Sequence, residues 1–305
     1  MALDKYIYGI AYRIGENRFH ISDIVGYENR LRRAKIPVGP GMGQGYFWTT
    51  RCIYRLVEVA IADTLLLSGA PAEIIDHVII CSSHFADPFD QRNREFAAAL
   101  TANHIHPQGL QGVCGTGCTD VLRGIELACN LLELHSAATI LIVGMEASAD
   151  DRLTSRLLDY ALVSDAVVSF LVSSLPASSD HRESLRVMAF KSIAMISRIG
   201  SGMSIRDGKE YGRATAAVLE SAALPRRAVT KLLGNNTFVP VKFYRETGAG
   251  FSKEQLYLDN VERVGHCLAC DPILNLVDFD QCYGPGNYIL AAEAEGHASA
   301  VLLQR

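Results

Sequence analysis

The chain has 305 residues, 49% hydrophobic and 20% charged, enough apolar content for a large core and too much for a disordered chain. A formal net charge of −4 argues against a nucleic-acid-binding surface, and no apolar run approaches the roughly 20 residues that cross a bilayer. The polar start Met1-Ala2-Leu3-Asp4-Lys5 lacks the apolar region of a secretory signal. The eight cysteines lie in apolar segments, as expected of buried thiols in a reducing cytoplasm rather than a disulfide scaffold.

Ile7 to Ile14 reads as a strand, and a glycine-rich stretch follows from Gly39 to Gly45. Arg51 to Ser68 carries Val57, Ala60, Ile61, Leu65 and Leu66 at helical spacing. His77 to Ser83 is a short apolar run of the kind found in strands covered on both faces. A helix from about Gln91 to Asn103 comes next, then a helix running from Cys118 to Leu134, and strands over Thr139 to Met145 and Asp165 to Ser173. The second half repeats this order. Leu185 to Ala194 is a strand, Lys209 to Ala223 a helix ended by Pro225, and Lys231 to Leu233 a short strand. A helix from about Phe238 to Arg245, a strand from Gln255 to Leu258 and a segment from His266 to Phe279 follow. Strands over Tyr288 to Ala294 and Ala298 to Leu303 close the chain. Each half is β-α-β-α-β-α-β-β, an alternation that favours mostly parallel sheets covered by helices. The halves span residues 1–174 and 184–305, joined by a Ser-, Pro- and charge-rich linker over 175–183.

Cys118 and His266 occupy matching places in the two copies, each after a glycine and near a helix start. If the copies pack about a pseudo-twofold axis, thiol and imidazole face each other, the minimum equipment for covalent acyl transfer. A thiol at a helix N-terminus is favoured as thiolate by the helix dipole, whereas Asp120 in the first turn opposes this. The bland reading makes Cys118 one more packed thiol, with Cys114 in the preceding turn as its rival. Asp271, before Pro272, reads as the N-cap of a helix; orienting the imidazole is its competing role. In a continuous helix the five-residue spacing would put Asp271 about 140° from His266.

Other motifs carry less. Cys267-x-x-Cys270 has no partner pair at metal spacing and reads as packing. The Gly39–Gly45 stretch lacks the Lys-Ser/Thr ending of a P-loop and reads as a loop. Arg30, Arg32, Arg33 and Lys35 form a basic cluster, either a solvated face or a docking point for a carrier arm's phosphates or an acidic carrier protein.

The chain resembles the ketoacyl synthase III branch of the thiolase superfamily. The resemblance rests on Gly117-Cys118 and the helix through Ala128, and on Thr139-Ile-Leu-Ile-Val-Gly-Met-Glu146. It extends to Leu157-Leu-Asp-Tyr-Ala-Leu-Val-Ser-Asp165 and to Gly296 within Ala294-Glu-Gly-His-Ala-Ser299. It implies an α/β thiolase-like fold in five αβαβα layers and a homodimer. Where condensing members carry a His, this chain has Asn235; where they carry Gly-Asn, it has Gly265-His266. That exchange disturbs the His–Asn pair that binds a malonyl thioester carbonyl during decarboxylation. The chain is thus closer to the ketosynthase III-like acyltransferases of natural-product biosynthesis.

The implied reaction uses an acyl-enzyme on Cys118, His266 as base, and an oxyanion hole from the N–H groups of Cys118 and Gly296. Asn235 polarises the carbonyl or positions the acceptor, and Asp271 orients His266 or caps the helix. The donor is a coenzyme A or phosphopantetheine-linked acyl-carrier-protein thioester and the acceptor a small molecule; no metal or redox cofactor is implied. A decarboxylating condensing enzyme and a catalytically silent partner subunit are the rivals.

Overall fold

The computed structural model describes residues 3–33, 43–50, 52–82, 89–135, 138–147, 156–177, 184–195, 208–280 and 284–305. In chain order the elements begin with β1 (Tyr6–Ile14), β2 (Asn17–His20), α1 (Tyr27–Arg33), β3 (Gly45–Trp48), α2 (Ile53–Ser68) and β4 (Ile75–Cys81). They continue with α3 (Phe89–Ala102), β5 (Gly109–Val113), α4 (Asp120–Leu134), β6 (Thr139–Glu146) and β7 (Ala166–Ser173). The second half is β8 (Leu185–Ala194), α5 (Lys209–Ser221), β9 (Lys231–Leu233), α6 (Val239–Gly248), α7 (Asp259–Arg263), α8 (Asp271–Asp280), β10 (Asn287–Ala294) and β11 (His297–Gln304).

Nine strands are hydrogen-bonded in the order β5-β4-β6-β7-β1-β8-β11-β10-β9, and β2 and β3 form a separate ribbon. At the centre β1 and β8 pair at Tyr6–Arg186 and Ile7–Leu185 alone. Outward from that seam, both halves place their first strand of the large sheet, then their last, their next-to-last and their second. This mirrored order is what a pseudo-twofold repeat produces. The sheets are mixed rather than mostly parallel. The β4–β5, β4–β6 and β9–β10 pairs are parallel, and the pairs nearer the seam are antiparallel.

Side chains alternate across the pleat and so assign the layers. In β6, Ile140 and Ile142 join α4 and α8 in the central core, while Leu141, Val143 and Met145 face α2 and α3. In β10, Tyr288, Leu290 and Ala292 point to the same central core, and Ile289 and Ala291 pack with α5. The layers are therefore α2/α3, a sheet half, α4/α8, the other sheet half and α5, the five-layer thiolase-like arrangement.

The expected strand over Gln255 to Leu258 is reduced to a single bridge between Leu232 and Leu256. A turn over Lys253–Gln255 precedes it, and Gln255 Nε2 donates to the carbonyls of Arg226 and Val229 at 2.9 and 2.8 Å. The helix expected to start at Pro272 starts at Asp271. Strand β5 was not expected. Its sequence, Gly-Leu-Gln-Gly-Val, has weak strand propensity and sits half-exposed at the sheet edge.

The central layer leaves no room at Gly144. A Cβ there would lie 2.6 Å from Val121 Cγ2 on α4 and 2.7 Å from Val168 Cγ2 on β7. Gly144→Ala is expected to destabilise the fold by about 1–3 kcal/mol, the usual cost of overpacking a core. Urea unfolding of the variant against the parent measures it; an unchanged midpoint would show that α4 does not seat on β6 as described.

Candidate active site

Cys118 lies in a tight turn, Gly117–Thr119, that leads into α4. Thr116 shapes this turn by donating its backbone N–H and hydroxyl to Asp120 Oδ1, at 3.0 and 2.5 Å. Burial pushes the Asp120 carboxyl up to about 6, against the lowering effect of those two bonds. Gly115 and Gly117 both take left-handed φ, +87° and +59°. A Cβ on Gly117 would also come within 2.9 Å of the Ala294 side chain, so the turn closes against the end of β10.

His266 is not on a helix. Its N–H donates to the Leu162 carbonyl at 2.7 Å and its carbonyl accepts from Ser164 N at 2.9 Å, a parallel bridge to residues 162–164. Gly265 makes the approach possible: at φ +80°, a Cβ would meet the Leu162 oxygen at 2.8 Å. Ser164 Oγ clamps the same segment by accepting from Phe47 N at 2.9 Å and donating to the Val264 carbonyl at 2.5 Å. Downstream, Leu268 takes a left-handed φ of +51° before α8 begins.

These two breaks in the chain overturn the angular argument against Asp271. Because His266 and Asp271 do not share a continuous helix, the carboxylate folds back under the ring, and Asp271 Oδ2 bonds His266 Nδ1. On the other side His266 Nε2 lies 3.5 Å from Cys118 Sγ. Sulfur, imidazole and carboxylate therefore form one line. His266 and Asp271 are fully buried and Cys118 is nearly so. Asp271 also accepts from Cys267 N at 2.7 Å; it is the first residue of α8 rather than its N-cap, and its carboxylate turns back to the preceding segment instead of to the N–H groups of the helix.

A residue that the sequence did not mark completes the support. Asn236 donates its backbone N–H to Asp271 Oδ2 at 2.7 Å and its side-chain amide to Oδ1 at 3.1 Å. Asn236 Oδ1 accepts in turn from Asn275 Nδ2 at 2.9 Å, and Asn275 Oδ1 accepts from Asn260 Nδ2 at 2.9 Å. The adjacent asparagines at 235 and 236 were the available signal, and only the first was read as functional. Asn235 accepts from Glu293 N at 2.9 Å and donates to the Leu268 carbonyl at 3.4 Å. Its amide thus braces β10 against the His266 segment, with Oδ1 engaged and one of the two Nδ2 hydrogens directed to Leu268.

The remaining expectations sort as follows. Gly296 lies in the β10–β11 turn with φ +73°, its carbonyl accepting from Met195 N at 2.7 Å; Ala294, two residues earlier, is the one that touches the Gly117 position. Arg30, Arg32 and Arg33 are on α1, with Arg32 and Arg33 exposed; the helix is anchored by Leu31 in a cluster with Leu162, Phe238 and Val241. Lys35 lies outside the described residues, as does most of the Gly39–Gly45 stretch. Cys267 and Cys270 are both in the central core, where burial raises their thiols well above the usual range. Cys114 is exposed in the turn. Among the described residues no group of three His, Cys, Asp or Glu is placed to hold a metal ion, and no helix is long and apolar enough to cross a membrane.

Neither a protein-family profile nor a curated protein sequence matches the chain. Solved structures match over its full length. The 3-oxoacyl-[acyl-carrier-protein] synthase III of Aquifex aeolicus VF5 is 16% identical, with a TM-score of 0.73 over 99% of this chain and 100% of that one. ChlB3, described as an acyltransferase, is 13% identical, with a TM-score of 0.80 over 98% and 97%. A Cys-to-Ser variant of Xanthomonas campestris OleA with bound lauric acid and lauroyl-CoA is 11% identical, with a TM-score of 0.78 over 100% of both chains. At these identities the likeness establishes the fold, that of the ketoacyl synthase III-like thiolase proteins.

Burial by itself would lower the His266 pKa; Asp271 and Cys118, by charge and by hydrogen bond, more than reverse this and raise it from 6.5 to about 10. A base whose folded pKa is raised contributes stability in full below its unfolded pKa and loses it as pH rises toward the folded one. The stability difference between the parent and His266→Asn is therefore expected to narrow as pH climbs from about 6.5 to about 10. Urea midpoints across that window test this, and a constant difference would refute the ion pair.

Proposed function

We propose that the chain is an acyltransferase that carries its acyl group on Cys118. The observation that carries this reading is the Cys118–His266–Asp271 line, with the imidazole held from behind by Asp271. In the first half-reaction Sγ, its proton already transferred to His266 Nε2 in the buried pair, attacks the carbonyl of an acyl thioester. The carbon–sulfur bond of the donor breaks, and the leaving thiolate takes that proton. In the second, Nε2 accepts the proton of a hydroxyl, amine or carrier thiol as it attacks the Cys118 thioester, and returns it to the departing sulfur. Asp271 fixes the ring so that Nε2 faces sulfur throughout. For the tetrahedral oxyanion the reading assigns the N–H groups of Cys118 and Gly296; the packing of the Gly117 turn against Ala294, two residues before Gly296, supports it.

Transfer without decarboxylation is favoured by Asn235. Decarboxylative condensation needs a donor pair to hold a malonyl carbonyl, and Asn235, its Oδ1 on Glu293 N and one Nδ2 hydrogen on the Leu268 carbonyl, brings only a single remaining N–H to that task. His266 is likewise committed to Cys118 and Asp271. A thioester of coenzyme A or of a carrier protein is the donor class, in keeping with the lauroyl-CoA bound by the OleA variant. The reading includes a homodimer formed through the open edge at β5, where Leu110 is exposed.

The test is intact-mass analysis after exposure to a panel of acyl thioesters. The parent is expected to retain an acyl increment and Cys118→Ala none, with the increment lost on addition of the correct acceptor. Release of carbon dioxide and a lengthened product from malonyl thioester would establish the condensing rival; no increment from any thioester would leave the silent-partner reading. Asp271→Asn is expected to slow acylation by about 10³–10⁴, the scale seen when a triad loses its carboxylate. Stopped-flow or quenched acylation measures that rate.

A further inference from the structure

Beside the catalytic line, α6 buries three charged side chains, Lys242, Arg245 and Glu246. Glu246 Oε1 accepts from Lys242 Nζ at 2.8 Å and from the Tyr211 hydroxyl at 3.3 Å. Lys242 Nζ also donates to the carbonyl of Asn235 at 3.1 Å, which ties the cluster to the active-site loop. Arg245 is left over. Its Nη2 forms an ion pair with Glu246 Oε1 at 3.7 Å, beyond hydrogen-bond range, and neither Nε nor Nη2 makes a hydrogen bond. Its guanidinium packs over the Tyr211 ring at 4.8 Å, and the residue is only 6% exposed.

A buried guanidinium without acceptors is costly, and proteins retain one where an anion arrives to meet it. Arg245 is also near the chemistry. Burial disfavours its charge, but Tyr211, Glu246, Glu293 and Cys118 act to stabilise it. Tyr160, whose ring stands edge-on to His266 at 6.3 Å between centroids, senses both Cys118 and Arg245. The surrounding charges, Lys242 against Glu246 and Glu293, favour the charged guanidinium without supplying the hydrogen bonds its Nε and Nη2 lack.

We propose that Arg245 anchors a carboxylate at the far end of the acyl group that Cys118 receives, so that the donor is a dicarboxylic acyl thioester. The inference rests on the acyltransferase reading and narrows its substrate class. Its chemistry is the same thioester exchange. The donor's carbon–sulfur bond breaks as the Cys118 carbon–sulfur bond forms, the proton goes through His266 to the leaving thiol, and the distal carboxylate is unchanged, held by the guanidinium. The structural rival is that Arg245 serves only Glu246, whose Oε2 also lacks a partner.

The experiment compares acylation rates for donors matched in length, succinyl- against butyryl-coenzyme A and glutaryl- against pentanoyl-coenzyme A. The parent is expected to prefer the carboxylated member by about tenfold or more, the scale of a hydrogen bond to a charged group. Arg245→Met is expected to abolish that preference and Arg245→Lys to restore part of it. Equal rates with both members, or a preference that survives Arg245→Met, overturn the proposal while leaving acyl transfer intact. A preference seen only among acceptors, in the second half-reaction, overturns it as well and moves the carboxylate to the other substrate. If no donor acylates the parent, the underlying reading falls instead and takes the proposal with it. Should Arg245→Met fail to fold, the parent alone decides: free glutarate is expected to protect Cys118 from alkylation at concentrations where pentanoate does not, and equal protection overturns the proposal.

Discussion

The structure around the catalytic line depends on one buried carboxylate. Asp271 is fully inside the protein, and its two oxygens accept from Cys267 N, Asn236 N, Asn236 Nδ2 and His266 Nδ1. A carboxylate stripped of water is tolerable only with such complete satisfaction. The same four bonds fix three pieces of chain: the turn before α8, the loop after β9 and the imidazole. The chain through Asn275 and Asn260 extends this order to Asp278 and Arg263 at the protein's edge. The geometry of the Cys118–His266–Asp271 line and local folding are here one set of hydrogen bonds.

The pseudo-twofold arrangement explains why the sulfur and the imidazole meet. Each half sends a short turn into a central helix, after β5 in the first and after α7 in the second, and both helices, α4 and α8, lie in the shared middle layer. The turns then converge at the interface of the halves, Cys118 from one and His266 from the other. The halves are not equivalent chemically. In the first, Asp120 is turned toward Thr116 and closes the nucleophile turn; in the second, the matching first residue of the helix, Asp271, is turned back under the ring. One backbone device serves to shape a loop in one copy and to position an imidazole in the other.

A second consequence concerns charge. Outside the catalytic line the protein buries Arg156 with Asp165, and Lys242 with Glu246. Arg156 also lies over the Trp48 ring, and Asp165 accepts from Thr49 N, so this pair stitches the β2–β3 ribbon to the segment that holds His266. Removing one partner of such a pair leaves an uncompensated charge in a low-dielectric interior, which makes these positions sensitive although they do no chemistry. Arg245 differs from them because the fold leaves its hydrogen-bonding capacity unmet.

Much of this was legible in the residue pattern. The duplicated order of strands and helices, the buried runs of β6 and β7, and the matched Gly-Cys and Gly-His pairs are local properties, since strand burial and glycine-dependent turns are written in short stretches of chain. What sequence spacing misjudged was the relation of His266 to Asp271, because the left-handed Leu268 and the bridge of His266 to Val163 break any helix between them. It also assigned Asn235 a chemical role and passed over Asn236, since nothing local distinguishes two adjacent asparagines. Only the tertiary structure decides that one amide braces β10 while the other holds the carboxylate, because their partners lie more than thirty residues away along the chain. Hydrogen bonds over that separation are a property of the packed fold, and a linear pattern carries no record of them.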